Sequence, residues 1–444
     1  MKKITLLFLL LGLALLTLTA QDKKAEEALN APYRVGQWLP TDQEILNDWM
    51  EEVFEDCESR NAPLLPVVQD FKDLIESDAE VFMLFNLMFD QVPEKAPYIN
   101  DPTGKPQIRD YNHMLQLINH VMTMAPEFNK TGLVGFPINA ILDWPMGTEA
   151  GSAAFLNPKV NAHLKNILNH WAVFLSSPDS RYVLNDDPRS GWFGADAQEA
   201  MPEFESDFIC DPTQPYHGFT SWDNFFTRRF REGKRPVAAP DDDAVIANSC
   251  ESAPYRVAKQ VQYSDKFWIK SQPYSLRHMM DGDPWSELFA GGTVYQAFLS
   301  ALSYHRWHSP VSGKILKTTV IDGTYYAENL AMGYDPAGPN ESQGYITEVA
   351  TRALVFIEAD NPDIGLMCVM YVGMAEVSTC DVTVYEGQHV NKGDELGMFH
   401  FGGSTHCLIF RPGVELEFDL HGQTPGLESS NIPVRAKIAT VVTK

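Results

Sequence analysis

Basic residues are scarce in this chain. Lys and Arg total 34 against 59 Asp and Glu, a formal net charge of −25 over 444 residues. A surface of that sign repels phosphates, which excludes nucleic acid as a natural partner and leaves at most peripheral contact with a membrane. Cysteines are few: Cys57, Cys210, Cys250, Cys368, Cys380 and Cys407. No two are spaced as CxxC, so neither a disulfide framework nor a structural metal is indicated, and buried thiols are expected. There is no internal repeat, and no long apolar run beyond the N-terminus. What remains is an ordinary globular balance, 44% hydrophobic and 21% charged, with length for two or three domains.

The N-terminus has the layout of a secretory signal. Lys2 and Lys3 precede the apolar run Ile4 to Leu18, and Ala20 precedes Gln21. The run is shorter than the roughly 20 residues of a membrane span. Residues 1–20 are therefore expected to direct export to a periplasm or the exterior. Leu18 is larger than the residue usual at that position, so an uncleaved anchor is the alternative. Gln at position 21 offers no site for lipid.

Residues 21–205 read as a helical domain. Apolar residues recur every three or four positions over Pro66–Val92, Tyr111–Met124 and Pro158–Ser176, the pattern of amphipathic helices packing on a core. A helical segment at Ser221–Phe230, with Ser221 as its N-cap, leads into the Pro-rich stretch Arg235–Asp243. Beyond about residue 245 short β-branched and aromatic runs alternate with Gly, Asp and Asn. They are 314–320, 353–358, 365–372, 382–385, 407–411 and 437–442. The fold class is therefore α+β: a helical N-terminal domain, then a strand-rich, mostly antiparallel domain over 206–444.

Four segments of the second half are unusual: Phe219–Phe230 with Lys234-Arg-Pro236, Ala247-Asn-Ser-Cys-Glu-Ser252, Tyr304-His-Arg-Trp-His-Ser-Pro-Val-Ser-Gly313, and Glu386–Cys407 containing Gly402-Gly-Ser-Thr405. Singly they are weak signals. Gly-Gly-Ser-Thr lacks the Lys of a phosphate-binding loop, and Ser404 lacks the following Gly of a nucleophile elbow. His305 and His308 have no neighbouring carboxylates to complete a metal set. Arg228, Arg229, Arg231, Lys234 and Arg235 suit a phosphate headgroup, but on so acidic a protein they read better as a solvated helix face with salt bridges.

Together, and in this order, the four segments resemble the phosphatidylserine decarboxylase family of pyruvoyl enzymes over about residues 215–425. Gly135-Phe-Pro-Ile-Asn-Ala140 and Pro145-Met-Gly-Thr148 resemble the extended branch that contains fungal L-tryptophan decarboxylases. The resemblance implies self-cleavage between Gly403 and Ser404. Ser404 Oγ attacks the Gly403 carbonyl, and elimination then leaves a pyruvoyl group on a short α chain, the remainder being the β chain. It implies His308 as the base for Ser404 and Glu251 as the acid orienting His308, where the family usually has Asp. His305 is the candidate for stabilising the substrate carboxylate or delivering the proton after CO2 leaves from an imine with the substrate's α-amine. His406, two residues along from Ser404, would face the same side of a strand and is a possible substrate contact. Tryptophan-like free amino acids and phosphatidylserine are the two substrate readings. A third, from another class, is an uncleaved binding protein with a carrier-like hairpin bearing Lys392.

Overall fold

The computed structural model describes residues 43–60, 62–92, 108, 110–128, 136–266, 274–300, 302–329, 342–376, 378–401 and 404–442, with Ser404 described by its backbone alone. Residues 1–20, expected to be a signal, and Gly403 lie outside these residues. The architecture is α+β: helices first, then antiparallel strands. The principal helices are α1 (Gln43–Arg60), α2 (Pro66–Ser77), α3 (Ala79–Asp90), α4 (Tyr111–Val121), α5 (Pro137–Met146), α6 (Glu149–Leu156) and α7 (Pro158–Leu175). Among the described residues no helix is long and apolar enough to cross a membrane.

The apolar stripe over Pro66–Val92 is two helices rather than one. Asp78 breaks it with an extended backbone, accepts the N–H groups of Glu80 and Val81, and is paired by Lys159 at 2.6 Å. An Asp that can cap outweighs a continuous apolar period, because it satisfies amides a helix start leaves open. Phe71, Ile75, Val81, Phe85 and Met88 are buried as the stripe predicts, whereas Phe82 faces out. Ser221 caps its helix as expected, accepting from Asn224 N–H at 3.0 Å. That helix is only Trp222–Phe226, however, and does not reach Phe230. Thr227 ends it by donating to the Asp223 carbonyl at 2.8 Å.

The strands are β1 (Val245–Ala247), β2 (Ala253–Lys259), β3 (Thr293–Leu299), β4 (Arg306–His308), β5 (Gly313–Ile321), β6 (Arg352–Ala359), β7 (Leu366–Val372), β8 (Thr379–Val382), β9 (His389–Val390), β10 (Glu395–His400), β11 (Ser404–Phe410), β12 (Leu416–Phe418) and β13 (Lys437–Val441). The strand expected at 382–385 lies earlier, and Tyr385 is exposed in the turn that follows. A seven-stranded sheet has the order β2-β3-β11-β7-β6-β5-β9, and two three-stranded sheets have the orders β4-β10-β8 and β1-β13-β12.

Two of these sheets are linked in a way that positions the site. In the large sheet β11 lies between β3 and β7; in the small one β10 lies between β4 and β8. β3 leads into β4, β10 into β11, and β7 into β8. The same three neighbours thus pass from one sheet to the other side by side, with β10–β11 in the middle. The registers bracket the crossing: Leu299 pairs with Ser404, Val372 with Thr405, Thr379 with His400 and Arg306 with Met398.

Apolar clusters fill both faces of the large sheet, one around Tyr295, Trp307, Tyr371 and Leu408, the other around Phe298, Cys407 and Ile409. The core of the helical part extends into the strand-rich part, taking in Tyr304, Tyr326 and Phe401. Cys250, Cys368 and Cys407 are buried thiols as expected; Cys57, Cys210 and Cys380 are half-buried, and all six are free. Removing the cap in Ser221→Ala is expected to destabilise the protein by about 1 kcal/mol in denaturant unfolding.

Candidate active site

His308 ends β4 and is 2% exposed. Its backbone is braced by Ser249 of the Ala247–Ser252 segment. His308 N–H donates to the Ser249 carbonyl at 2.9 Å, and Ser249 Oγ donates to the His308 carbonyl at 2.7 Å. Tyr371 OH then reaches the same Oγ at 2.7 Å. On the ring, Nδ1 lies 2.8 Å from the Gly393 carbonyl and Nε2 lies 2.9 Å from Tyr304 OH. The Gly393 carbonyl can only accept, and at 2.8 Å it sets Nδ1 as the N–H against the longer approach of the donor Arg435 Nη2 at 3.1 Å, leaving Nε2 as the basic nitrogen that accepts from the phenol. Burial, and then the Arg435 guanidinium beside it, push the imidazole down to about 3, so it is held neutral.

His305 is wholly buried and stacks on Phe226 at 4.1 Å between ring centroids. Among the described residues neither ring nitrogen has a hydrogen-bond partner of sound geometry, an arrangement that is costly unless it is used. Burial, with Arg228 nearby, holds this ring neutral as well. Its carbonyl accepts from Phe399 N–H at 3.0 Å, which ties the His305 segment to β10.

From Phe226 an aromatic chain runs to the crossing. Trp222 stacks on Phe226 at 5.2 Å and meets Phe401 edge-on at 4.7 Å, and Trp171 of α7 meets Phe401 from another side at 4.9 Å. Phe401 has φ of 61°, a left-handed backbone unusual for a bulky residue. It is the first residue after β10, and the helical part therefore grips the chain three positions before Ser404. His400, just before it, lies between Asp223 at 2.9 Å and Asp381 at 3.4 Å. Although burial opposes the charge, these carboxylates raise its pKa.

Glu251 does not touch the His308 ring, contrary to the orienting contact expected of it. Its carboxylate takes Arg235 at 2.8 Å and the Val434 N–H at 2.8 Å. A cation on the preceding loop competes for it, and the Gly393 carbonyl holds Nδ1 instead. Glu251 is linked to His308 only at one remove: the Val434 N–H it accepts precedes Arg435, whose guanidinium lies 3.1 Å from Gly393 O and 3.1 Å from His308 Nδ1. His406 lies on β11 between Ala297 and Tyr371, fully buried, and among the described residues neither ring nitrogen has a hydrogen bond of sound geometry, although the backbone of Ala297 lies close enough to pull its pKa upward against burial. The side chain of Ser404 lies outside the described residues, so its facing relative to His406 does too.

The basic cluster is not one solvated face. Arg228 is buried, donates to the Leu302 carbonyl at 2.7 Å and lies over the Phe208 ring at 4.6 Å. Lys234 and Arg235 are taken up by Asp207 and Glu251. The carrier reading of Lys392 fails for a similar reason: its ammonium is buried and donates to the carbonyls of Asp242 and Val245. A cavity of about 570 Å³ lies beside the site, lined in part by Phe204, Phe208, Phe230, Glu251, Ser300 and Tyr304. Tyr304 and Arg435 were not assigned roles from sequence. Tyr304 carried a signal, its place in the Tyr304–His308 run; Arg435 carried none.

His308 and His406 are neutral when folded and ionise freely when unfolded. The unfolded chain therefore binds more protons between its ordinary histidine pKa of about 6.5 and the folded value of about 3. Stability should be fully present above pH 6.5 and fall as pH drops through this window. His406→Gln is expected to make the fall shallower by about one proton in urea titrations at several pH values.

Residues 222–426 match the phosphatidylserine decarboxylase family, and residues 65–201 match a second region described as phosphatidylserine decarboxylase. The L-tryptophan decarboxylase of Psilocybe cyanescens is 40% identical over 84% of this chain and 88% of its own length. Decarboxylase iboD of Amanita muscaria is 46% identical over 64% of this chain and 86% of its own. Phosphatidylserine decarboxylase proenzyme 3 of Schizosaccharomyces pombe is 32% identical over 45% of this chain and 20% of its own. With the Tyr304–His308 strand paired to the strand that leads into Ser404, these likenesses make the chain a member of the phosphatidylserine decarboxylase family, a carboxy-lyase.

Proposed function

We propose that the chain cuts itself between Gly403 and Ser404, converts Ser404 to a pyruvoyl group, and decarboxylates a free aromatic L-amino acid such as tryptophan. The observation that carries this reading is the crossing itself. Ser404 opens β11 at the centre of three side-by-side connections, and the connection next to it, from Leu299 to Arg306, carries Tyr304 and His305 and ends at His308. The orphaned ring nitrogens of His305 and the neutral Nε2 of His308 fit a site where a proton must be taken and later returned.

In self-cleavage, the Ser404 hydroxyl replaces Tyr304 OH on His308 Nε2, which takes its proton, while the Gly393 carbonyl holds the ring through Nδ1–H. Hydrolysis after elimination releases ammonia and leaves a β chain ending at Gly403 and an α chain over 404–444. When present, the pyruvoyl ketone supplies the electron sink for loss of CO2. His305 returns a proton to the substrate carbon, and His406 is a substrate contact on the same strand as Ser404. Glu251 is a positioning residue, acting through Arg435.

Phe204, Phe208, Phe230 and Tyr304 line the cavity beside the site, together with the charged Asp207, Arg228, Arg235 and Glu251; the aromatic rings support an aromatic side chain, as do the relatives named for tryptophan. The internal use of Arg228, Lys234 and Arg235 leaves little of that cluster for a lipid phosphate. The basic start and the apolar run Ile4 to Leu18 support export ahead of this chemistry.

Intact mass under denaturing conditions is expected to show two chains. The smaller should begin at 404 and be lighter than a Ser-started peptide by the elements of ammonia, with Ser404→Ala uncut. The purified enzyme should release CO2 from L-tryptophan faster than from phosphatidylserine vesicles; the opposite order would favour the lipid as substrate.

A further inference from the structure

Glu376 lies on the other flank of the same crossing. Residues 373–378 join β7 to β8, as the chain between His400 and Thr405 joins β10 to β11. The middle connection therefore has Tyr304 and His305 on one side and Glu376 on the other. The flanking link is firmly held: Gly373 N–H donates to the Thr351 carbonyl, Ala375 N–H to the Tyr325 carbonyl, and Ser378 Oγ to the Ala375 carbonyl at 2.7 Å.

Glu376 is 3% exposed, and among the described residues only half of its carboxyl is satisfied. Oε1 accepts the N–H groups of Ile138 at 2.6 Å and Asn139 at 2.9 Å, the first turn of α5. Among the described residues Oε2 has no hydrogen-bond partner. A glutamate serving only to cap α5 has no need to bury a second oxygen unpaired, which is unfavourable. No basic side chain pairs with it among the described residues, so it is not one half of a structural ion pair. Burial raises it to about 7, against the pull of the Asn139 amide, its own backbone N–H and the Ile138 amide, so it can both take and give a proton near neutrality.

We infer that Glu376 is a further catalytic residue, whose Oε2 accepts a proton from the α-ammonium of the amino-acid substrate at Ser404. This rests on the decarboxylase reading above. An amino acid arrives as an ammonium, which has no lone pair to attack a ketone. Transfer of one proton to the carboxylate leaves a neutral amine and a neutral carboxylic acid, with charge conserved. The division of labour follows from position. His305 on one flank serves the carbon that loses CO2, and Glu376 on the other serves the nitrogen. The helical part contributes through α5, whose amides fix Oε1 and so aim Oε2.

The test is Glu376→Gln in the full chain. The amide oxygen of Gln can still accept from Ile138 and Asn139, so the anchor on α5 is kept while the base is lost. Intact mass is expected to show normal cleavage at 404, and the melting temperature should stay near wild type. The kcat/KM for L-tryptophan should fall by about 100-fold or more. A second readout does not need turnover: methoxyamine, unprotonated at neutral pH, should label the α chain of Glu376→Gln as fast as that of wild type. Glu376→Asp, which keeps a carboxyl one methylene back, should turn over faster than the Gln variant. Turnover of Glu376→Gln within threefold of wild type overturns the inference. So does methoxyamine labelling that falls in step with turnover, which would mark a purely structural role. An uncut wild-type chain would be a different failure, removing the self-cleavage reading and this one with it.

Discussion

Three neighbouring strands leave one sheet and enter another without changing places, and the chemistry of this protein depends on that constraint. A backbone that crosses between sheets gives up its regular ladder, and its polar groups need other partners. Here the middle crossing is gripped from outside. Phe401 sits in a left-handed conformation between Trp171 and Trp222, both from helices. Such a conformation persists only where the surroundings over-determine it, and such positions cluster at functional sites. The helical part is thus a support for the crossing, and its core is continuous with it.

The electrostatics follow from depth. His305, His308 and His406 are all buried, and burial holds all three neutral. A buried imidazolium would need a carboxylate, and among the described residues none is placed on His308. A backbone carbonyl orients it and a phenol faces its free nitrogen. The cations nearby are arranged to keep it that way. Arg435 lies against Nδ1, while Arg235 draws the Glu251 carboxylate aside. In an acidic chain these few arginines are used inside, on carbonyls, rings and carboxylates.

The self-cleavage motif, the paired histidines and the strand-rich half were legible because they are local. Short runs of fixed residues and alternation along a strand both survive in one dimension. Three things were not legible. Asp78 breaks a helix that apolar spacing alone makes continuous, because a capping side chain competes with the period. Glu251 is drawn to Arg235 by a turn that spacing does not reveal. Glu376 and Arg435 gain their meaning from neighbours 238 and 127 residues away. Neither stands in a pattern that singles it out.

By itself the sequence determined the class of the protein, the family it belongs to and the residues at the middle of the crossing. Composition, periodicity and ordered motifs depend on what a residue is and on its near neighbours. Only the tertiary structure decided which groups meet: a carbonyl rather than an acid on His308, two tryptophans on Phe401, and the start of α5 on Glu376. Those pairings were settled by strand order, by competition among buried charges for scarce partners, and by the packing of helices against a bend. None of these is a property of any short stretch of chain.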